Sequence, residues 1–232
     1  MATRMRHPLP VLELLDELPP HIFLIPVKKI NQGQDVSFFL ASEAYRDIMT
    51  FLMQLNIAIF PSLKDDANSG RETIKIWEMD SADIHFSETI IQLRNLLHVL
   101  DKIIDEVPPD TGPRRFGNVS FRKWSERLES RAPRLLEQFL PIKVVSFKHV
   151  SECDAISELK AYFIGGFGSS QRLDYGTGHE LSFLAFLGCI WKLGGFNMST
   201  FGEEERGIVV GVIVPYVLLF QICLISRKCA AV

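Results

Sequence analysis

Residues 161–193 read AYFIGGFGSSQRLDYGTGHELSFLAFLGCIWKL, and the rest of the chain is organised around them. Near the middle of this stretch, the nine residues RLDYGTGHE (172–180) combine four ionisable side chains with a tyrosine and two glycines. Apolar residues at helical spacing follow directly, at Leu181, Phe183, Leu184, Phe186, Leu187 and Ile190. This order predicts a loop that leads into a helix, with Thr177 as the residue that caps it.

The loop 172–180 suits an anion on physical grounds. Gly176 and Gly178 remove side chains where the backbone must turn or approach another group. Backbone amides at the start of the helix, together with the positive end of its dipole, favour a phosphate or a carboxylate. A simpler alternative is that His179 and Glu180 only cap the first turn, while the nearby arginine and aspartate pair with each other. A lone Gly-x-Gly more often has that simpler meaning, because such short motifs recur by chance.

Hydrophobic periodicity predicts a mainly α chain. Residues 42–60 carry apolar side chains at helical spacing, which indicates a helix with one apolar face. A long amphipathic helix is expected from Ser87, its N-cap, to the double proline at Pro108 and Pro109. No stretch shows sustained period-two alternation between hairpin turns, so strands are expected to contribute little.

The remaining segments are expected to be shorter or less regular. The sequence predicts a short helix at Val11–Leu18, a polar loop between Pro61 and Asp83, helices on either side of Pro133, and a short strand within Lys143–Val150. Ser151 with Asp154 resembles a helix cap, and the helix that follows should end at Gly165-Gly166.

The length and composition indicate one helical domain, which we expect to be preceded by an extended arm. The 232 residues are 47% hydrophobic, which is enough for a sizeable core. We expect an N-terminal arm at 1–34, a helical domain at 35–225 and a tail at 226–232. The formal net charge of -3 and the scattered Lys and Arg residues give no basic field for nucleic acid.

The cysteines and the N-terminus indicate a reducing compartment. Cys153, Cys189, Cys223 and Cys229 form no Cys-x-x-Cys pair and have no histidine at metal-ligand spacing. Residues 1–20 contain charges and prolines instead of the apolar run of a secretory signal. A cytoplasmic and nuclear location is expected.

One C-terminal run allows two interpretations. Residues 207–225, GIVVGVIVPYVLLFQICLI, contain no formal charge and reach the length at which a membrane span must be considered. Pro215 and Gln221 interrupt the run, and β-branched residues dominate its first half. We favour a buried helix and keep a tail anchor as the alternative.

Several motifs in one order resemble a known family. The segment RLDYGTGHE (172–180) resembles the RIDYGTGHE signature of the phosphotyrosyl phosphatase activators, also called protein phosphatase 2A activators, with Leu173 in place of isoleucine. Residues 115–118, RFGN, and residues 100–109, LDKIIDEVPP, resemble the segments that precede this signature in the family. Residues 25–30 and 42–45 resemble the family's opening segments.

The resemblance implies a compact helical fold and a function. Such proteins bind the catalytic and scaffold subunits of protein phosphatase 2A and help bring the phosphatase to an active, metal-loaded state with ATP and Mg²⁺. They are also assigned peptidyl-prolyl cis/trans isomerase activity on proline-containing peptides. Isomerisation needs no covalent nucleophile, and the sequence shows none beside an obvious base.

The resemblance also implies site residues. Catalytic roles would fall to Asp174, Tyr175, His179 and Glu180, and either Asp174 or Glu180 would hold a metal ion that accompanies the nucleotide. The expected nucleotide-binding residues are Arg115, Gly117, Asn118, Arg172, Gly176, Thr177 and Gly178.

The C-terminus departs from the family pattern. Similar proteins continue into a part that contains a GVWGLDD segment, and this sequence has no such segment. We therefore expect a truncated form. Three functions stay open at this point: an ATP-assisted activator and isomerase, a non-catalytic module that binds the phosphatase, and a tail-anchored membrane protein.

Overall fold

A computed structural model describes residues 11–65, 72–79, 81, 83–108, 120–172, 175–197, 200 and 202–225. Its architecture is mainly α, as the periodicity predicts. The elements are α1 (Asp35–Leu40), α2 (Glu43–Ala58), β1 (Ser62–Asp65), β2 (Glu72–Lys75), α3 (Glu88–Asp105), α4 (Ser120–Phe139), α5 (Ile142–Val145), α6 (Ala155–Gly165), α7 (Thr177–Lys192), α8 (Glu203–Ile208), a π-helical turn (Val209–Ile213) and α9 (Val214–Ile225).

Helix α3 lies at the centre of the core. Its Ser87 N-cap accepts a hydrogen bond from the Ile90 amide, as the sequence predicts. An apolar stripe with helical spacing runs along the buried side of α3, at Ile90, Leu93, Leu96, Leu97, Leu100, Ile103 and Ile104. Helices α4, α9 and the π-helical turn pack against it, so residues distant in sequence meet around one helix.

Helix α4 is continuous through Pro133, so the expected break into two helices is wrong. Proline removes one backbone donor, which leaves the carbonyl of Glu129 without its usual helical partner. Glu129 is exposed, and water can hydrate that carbonyl. Leu128, Ala132, Leu135 and Leu136 are buried on either side of the proline, and this packing stabilises the helix across it.

The N-terminal arm is extended at Val11–Leu18, where a short helix was expected. Its backbone groups bind other elements instead of one another. The Leu12 amide donates to Gln54 Oε1, and the Leu12 carbonyl accepts from Trp191 Nε1, each at 2.8 Å. The Leu15 amide donates to the Lys192 carbonyl. These bonds attach the arm to α2 and α7. Because they give the backbone groups of the arm hydrogen-bond partners, the arm does not need to form a helix.

Two expectations about strands are wrong. The segment Pro61–Asp83, expected as a loop, contains β1 and β2, which pair antiparallel with Leu63 opposite Ile74. Four-residue strands are too short to show a clear alternation in sequence. Within Lys143–Val150, the residues up to Val145 belong to α5, and His149 forms a single parallel bridge to His21.

The uncharged run 207–225 continues α8 through the π-helical turn into α9. Ile208, Val212 and Tyr216 are buried in the core. A Cβ built at Gly211 would lie 2.7 Å from Phe86 Cε1 and 2.8 Å from Ile90 Cγ2, so this glycine permits close packing against α3. In the part of the chain that the structure describes, no helix has the length and hydropathy of a membrane span.

Candidate functional site

The candidate site is the loop between α6 and α7 together with the first turn of α7. Asp154 caps α6 by accepting from the Ser157 amide, and α6 ends at Gly165, as the sequence predicts. The expected partner in the cap, Ser151, instead accepts from the Phe23 amide. Beyond Gly165 the chain turns through Gly168, whose φ of 101° is strained for residues with a side chain.

Tyr175 is fixed by a chain of hydrogen bonds that reaches α9. The Tyr216 hydroxyl donates to the Gly166 carbonyl and lies 3.0 Å from the Tyr175 hydroxyl. Because a hydroxyl has one proton, Tyr175 is the donor in the second bond. Burial raises the pKa of both tyrosines. Both hydroxyls are therefore neutral at physiological pH, and neither provides a phenolate nucleophile.

His179 is oriented by α6 and by Tyr175. Its Nδ1 lies 2.6 Å from the Gly165 carbonyl oxygen, which can only accept, so Nδ1 carries a proton. A neutral His179 ring then has its lone pair at Nε2. The ring stacks on that of Tyr175, with centroids 5.6 Å apart and an interplanar angle of 17°. The two rings form an aromatic pair at the start of α7.

The cap of α7 differs from the prediction. Gly176 is the N-cap residue and Thr177 is the first helical residue, so the N-cap residue itself supplies no side-chain cap. Gly176 has extended backbone geometry, and a Cβ at Gly176 or Gly178 would meet no atom of the described residues within 4 Å. The packing of the described residues therefore does not require either glycine. The first turn of α7 is exposed at all three residues from Gly176 to Gly178.

The charged residues of the loop differ in their surroundings. Arg172 is exposed, and its backbone amide donates to Ser169 Oγ at 3.2 Å. Glu180 is exposed in the first turn of α7, where a carboxylate interacts favourably with the helix dipole. Asp174 lies outside the described residues, so its expected role stays a prediction.

The other expected part of the site, Arg115, Gly117 and Asn118, also lies outside the described residues. The residues on either side of it, up to Pro108 and from Ser120, are described. Ser120 Oγ donates to the Pro108 carbonyl, which joins the start of α4 to the end of α3. Arg122 Nε donates to the Ser170 carbonyl at 3.1 Å. The start of α4 is thus attached to the same loop that carries Tyr175.

A metal ion would need side-chain ligands at this site, whereas a nucleotide phosphate could bind backbone amides. Among the described residues, no group of three or more His, Cys, Asp or Glu side chains could hold a metal ion. A metal at Glu180 would need Asp174 or ligand phosphates to complete its coordination. The exposed amides at the N-terminus of α7 fit a phosphate group without side-chain ligands.

Sequence reasoning missed two residues that build the site. Tyr216 was assigned to a buried helix but not to the site, although its hydroxyl contacts both Tyr175 and Gly166. A lone tyrosine within an otherwise apolar run was the available signal, because a buried hydroxyl requires a hydrogen-bond partner. Arg122 gave no such signal, since its contact with Ser170 spans 48 residues.

Comparison with known proteins identifies the family. The family described as phosphotyrosyl phosphate activator (PTPA) protein matches residues 26–226. The chain belongs to the PTPA family. The match includes α1 to α9 and the loop 172–180, so the helices and the candidate site both fall within the matched residues.

Individual relatives agree with this assignment. The serine/threonine-protein phosphatase 2A activator 1 of Aspergillus fumigatus is 52% identical over 216 residues, which cover 92% of this chain and 45% of that protein. The protein of the same name from Emericella nidulans is 52% identical over 213 residues, covering 91% and 48%. The chain therefore spans about half the length of these PTPA relatives.

A solved PTPA structure has the same fold. The crystal structure of the PP2A phosphatase activator Ypa1 superimposes with a TM-score of 0.72 at 29% sequence identity. The superposition covers 93% of this chain and 60% of that one.

Proposed function

We propose that this PTPA chain binds the catalytic and scaffold subunits of protein phosphatase 2A and activates the phosphatase with ATP and Mg²⁺. The observation that carries the proposal is the 52% identity over 216 residues to proteins named protein phosphatase 2A activator 1. The family match over residues 26–226 includes the loop 172–180 and the helices that position it. We further propose a cytoplasmic and nuclear location, which fractionation of the tagged chain would test.

The nucleotide would bind through its phosphates at the start of α7. Thr177 and Gly178 begin a helix whose positive end favours anions, and its N-cap residue, Gly176, has no side chain to cap this end. The open space at Gly176 and Gly178 supports this proposal, because it leaves room for a ligand close to the backbone. Glu180 and Asp174 would hold the accompanying Mg²⁺ together with phosphate oxygens.

The same site would catalyse prolyl isomerisation. A peptidyl-prolyl bond crosses a barrier of about 18–20 kcal/mol through a twisted amide, so a pocket accelerates the reaction by binding that form best. The stacked rings of Tyr175 and His179 would hold the prolyl ring, and Tyr216 and Gly165 keep these rings in position. The neutral hydroxyls fit this chemistry, which needs no nucleophile.

The test combines phosphatase activity with binding. The chain is added to an inactive complex of catalytic and scaffold subunits with ATP and Mg²⁺, and hydrolysis of a phosphopeptide is followed. Activation that requires ATP, and that His179→Ala reduces but Glu137→Gln leaves unchanged, supports the proposal. Glu137 is a suitable control because it is exposed on α4. Exchange spectroscopy of a proline-containing peptide tests the isomerase separately.

A second candidate is a module that binds the phosphatase without activating it. More than half the length of the curated PTPA relatives lies outside the aligned region, and activation that uses that region would not come from the residues described here. Affinity for the phosphatase complex with no gain in its activity identifies this case. Absence of any affinity would contradict both candidates.

A further inference from the structure

A cavity of about 440 Å³ lies between the N-terminal arm, α1, α2, α6 and α7. None of the described residues of the loop 172–180 lines it, so it is separate from the candidate site. Its volume falls within the range of about 300–1,000 Å³ that is usual for small-molecule sites. The cavity therefore has the size to enclose a ligand.

The walls of this cavity are apolar and partly aromatic. They come from the arm, α1, α2, α6 and α7 and include Phe23, Phe39, Ile48, Phe51, Leu159 and Leu184. Phe23 and Phe51 are also part of the buried core, which gives the walls a fixed position. A ligand with an aromatic or branched aliphatic body would displace water from these surfaces, which is favourable.

The charged groups at the cavity carry an excess of negative charge. Asp47 is already neutralised, because it accepts hydrogen bonds from both Lys192 and Arg46. Glu158 also lines the cavity, and one of its oxygens accepts from the Leu24 amide at 2.8 Å. Glu43 lines the cavity from the first turn of α2. No cationic side chain among the described residues forms an ion pair with Glu43 or Glu158.

Two other polar groups at the cavity, the Tyr162 hydroxyl and the Cys189 thiol, are neutral. Burial raises the pKa of the Tyr162 hydroxyl and of the Cys189 thiol, each to about 12. The thiol is therefore not a nucleophile at neutral pH, and a ligand would bind without a covalent bond. The Tyr162 hydroxyl can accept a hydrogen bond, as the two carboxylates can. His21 completes the polar lining.

We propose that this cavity binds a small amphipathic cation, with an apolar body and one protonated amine. The apolar walls receive the body, and Glu158 and Glu43 receive the ammonium group at the edge of the cavity. An anion of the same shape is excluded, because the two carboxylates would repel it. This inference does not depend on the proposed action on the phosphatase.

The test uses three compounds with the same phenylbutyl body and different charges. Isothermal titration of the whole chain compares 4-phenylbutylamine, 4-phenylbutan-1-ol and 4-phenylbutyrate. We expect the amine to bind about fivefold more tightly than the alcohol, as one partly exposed ion pair would provide, and the carboxylate not to bind. Equal affinities, preference for the carboxylate, or no binding of any compound would overturn the proposal.

Two variants connect the affinities to this cavity. Glu158→Gln keeps an oxygen that can accept from the Leu24 amide but removes the charge, so it should weaken the amine about fivefold and leave the alcohol unchanged. Glu137→Gln on α4 is the matched control and should change neither affinity.

Ala185→Leu adds bulk to the cavity wall and should abolish binding of both compounds. Where this variant does not fold, Gly188→Ala replaces it, since its Cβ would lie 3.5 Å from Phe51 and has room. The added methyl should weaken both compounds. If none of the cavity variants changes the affinities, the compounds bind elsewhere and the proposal is overturned.

Discussion

The hydroxyl of Tyr175 lies 3.0 Å from the hydroxyl of Tyr216, although 41 residues separate the two tyrosines. Tyr216 in turn donates to the Gly166 carbonyl and stacks on Phe183, with ring centroids 3.8 Å apart. The aromatic pair at the start of α7 is therefore held from three directions: α6, α7 and α9. The position of the loop depends on a helix that follows it in sequence.

Tyr216→Phe should destabilise the chain by about 1–3 kcal/mol, because it leaves the buried Gly166 carbonyl and the Tyr175 hydroxyl without this partner. The ring and its stacking on Phe183 are retained, so the loss comes from the hydroxyl. Urea unfolding measures the change. Tyr45→Phe is the control, since the Tyr45 side chain is only half-buried and should contribute less than about 0.5 kcal/mol. Equal losses from the two variants would contradict the role of the Tyr216 hydroxyl.

Gly211→Ala should destabilise the chain by about 1–3 kcal/mol, because the new Cβ would lie 2.7 Å from Phe86 and force the π-helical turn away from α3. Gly188→Ala in α7 is the matched control. Its Cβ would lie 3.5 Å from Phe51, an ordinary contact, and alanine favours the helix by up to about 1 kcal/mol. Thermal unfolding compares them. Loss of stability in both variants, or in neither, would argue against close packing at Gly211 as the cause.

Some elements of the fold can be predicted from the sequence and others cannot. The helices α2 and α3 could be predicted because each has a regular apolar stripe and α3 begins at the Ser87 cap, and both signals are local. The continuity of α4 through Pro133 could not, since burial of residues on both sides of the proline decides it. The extended arm was missed for the same reason: Gln54 and Trp191, far away in sequence, bind Leu12.

The candidate site divides in a similar way. Resemblance to the PTPA family located the loop 172–180, and the apolar spacing after the loop predicted the helix that is observed as α7. The sequence alone did not predict that His179 would bind the Gly165 carbonyl or that Tyr216 would hold Tyr175. Both contacts join separate helices, and only tertiary packing brings those helices together.

Glu204→Gln should flatten the pH dependence of stability above pH 4.5. Burial raises the pKa of the Glu204 carboxyl from its ordinary value of 4.5, and the hydrogen bond from Ser87 opposes this shift only in part. Between the unfolded and the folded pKa, the folded chain holds the proton more tightly than the unfolded chain. Stability from this group is thus fully present below pH 4.5 and declines as the pH rises.

Urea unfolding at several pH values between 4 and 7 measures this effect. As the pH rises, the free energy of unfolding of Glu204→Gln should increase relative to that of the native chain, because glutamine carries no charge into the buried position. Glu203→Gln is the control, since Glu203 is exposed in the same turn of α8. Parallel curves for the native chain and Glu204→Gln would show that the carboxyl does not titrate differently on folding.

Gly178→Ala should weaken the binding of ATP and Mg²⁺ about tenfold while leaving stability unchanged or slightly higher. A Cβ at Gly178 would meet no atom of the described residues within 4 Å, and alanine favours a helix by up to about 1 kcal/mol. The same Cβ would stand beside the amides that we propose for the phosphates, and a loss of about 1.4 kcal/mol of binding free energy is tenfold in affinity. Titration calorimetry and thermal unfolding give the two quantities on one sample. Gly33→Ala is the matched control, because its Cβ also meets nothing and it lies before α1. Unchanged ATP affinity in a folded Gly178→Ala chain would remove the phosphate site from the start of α7, and the glycine would then need another explanation.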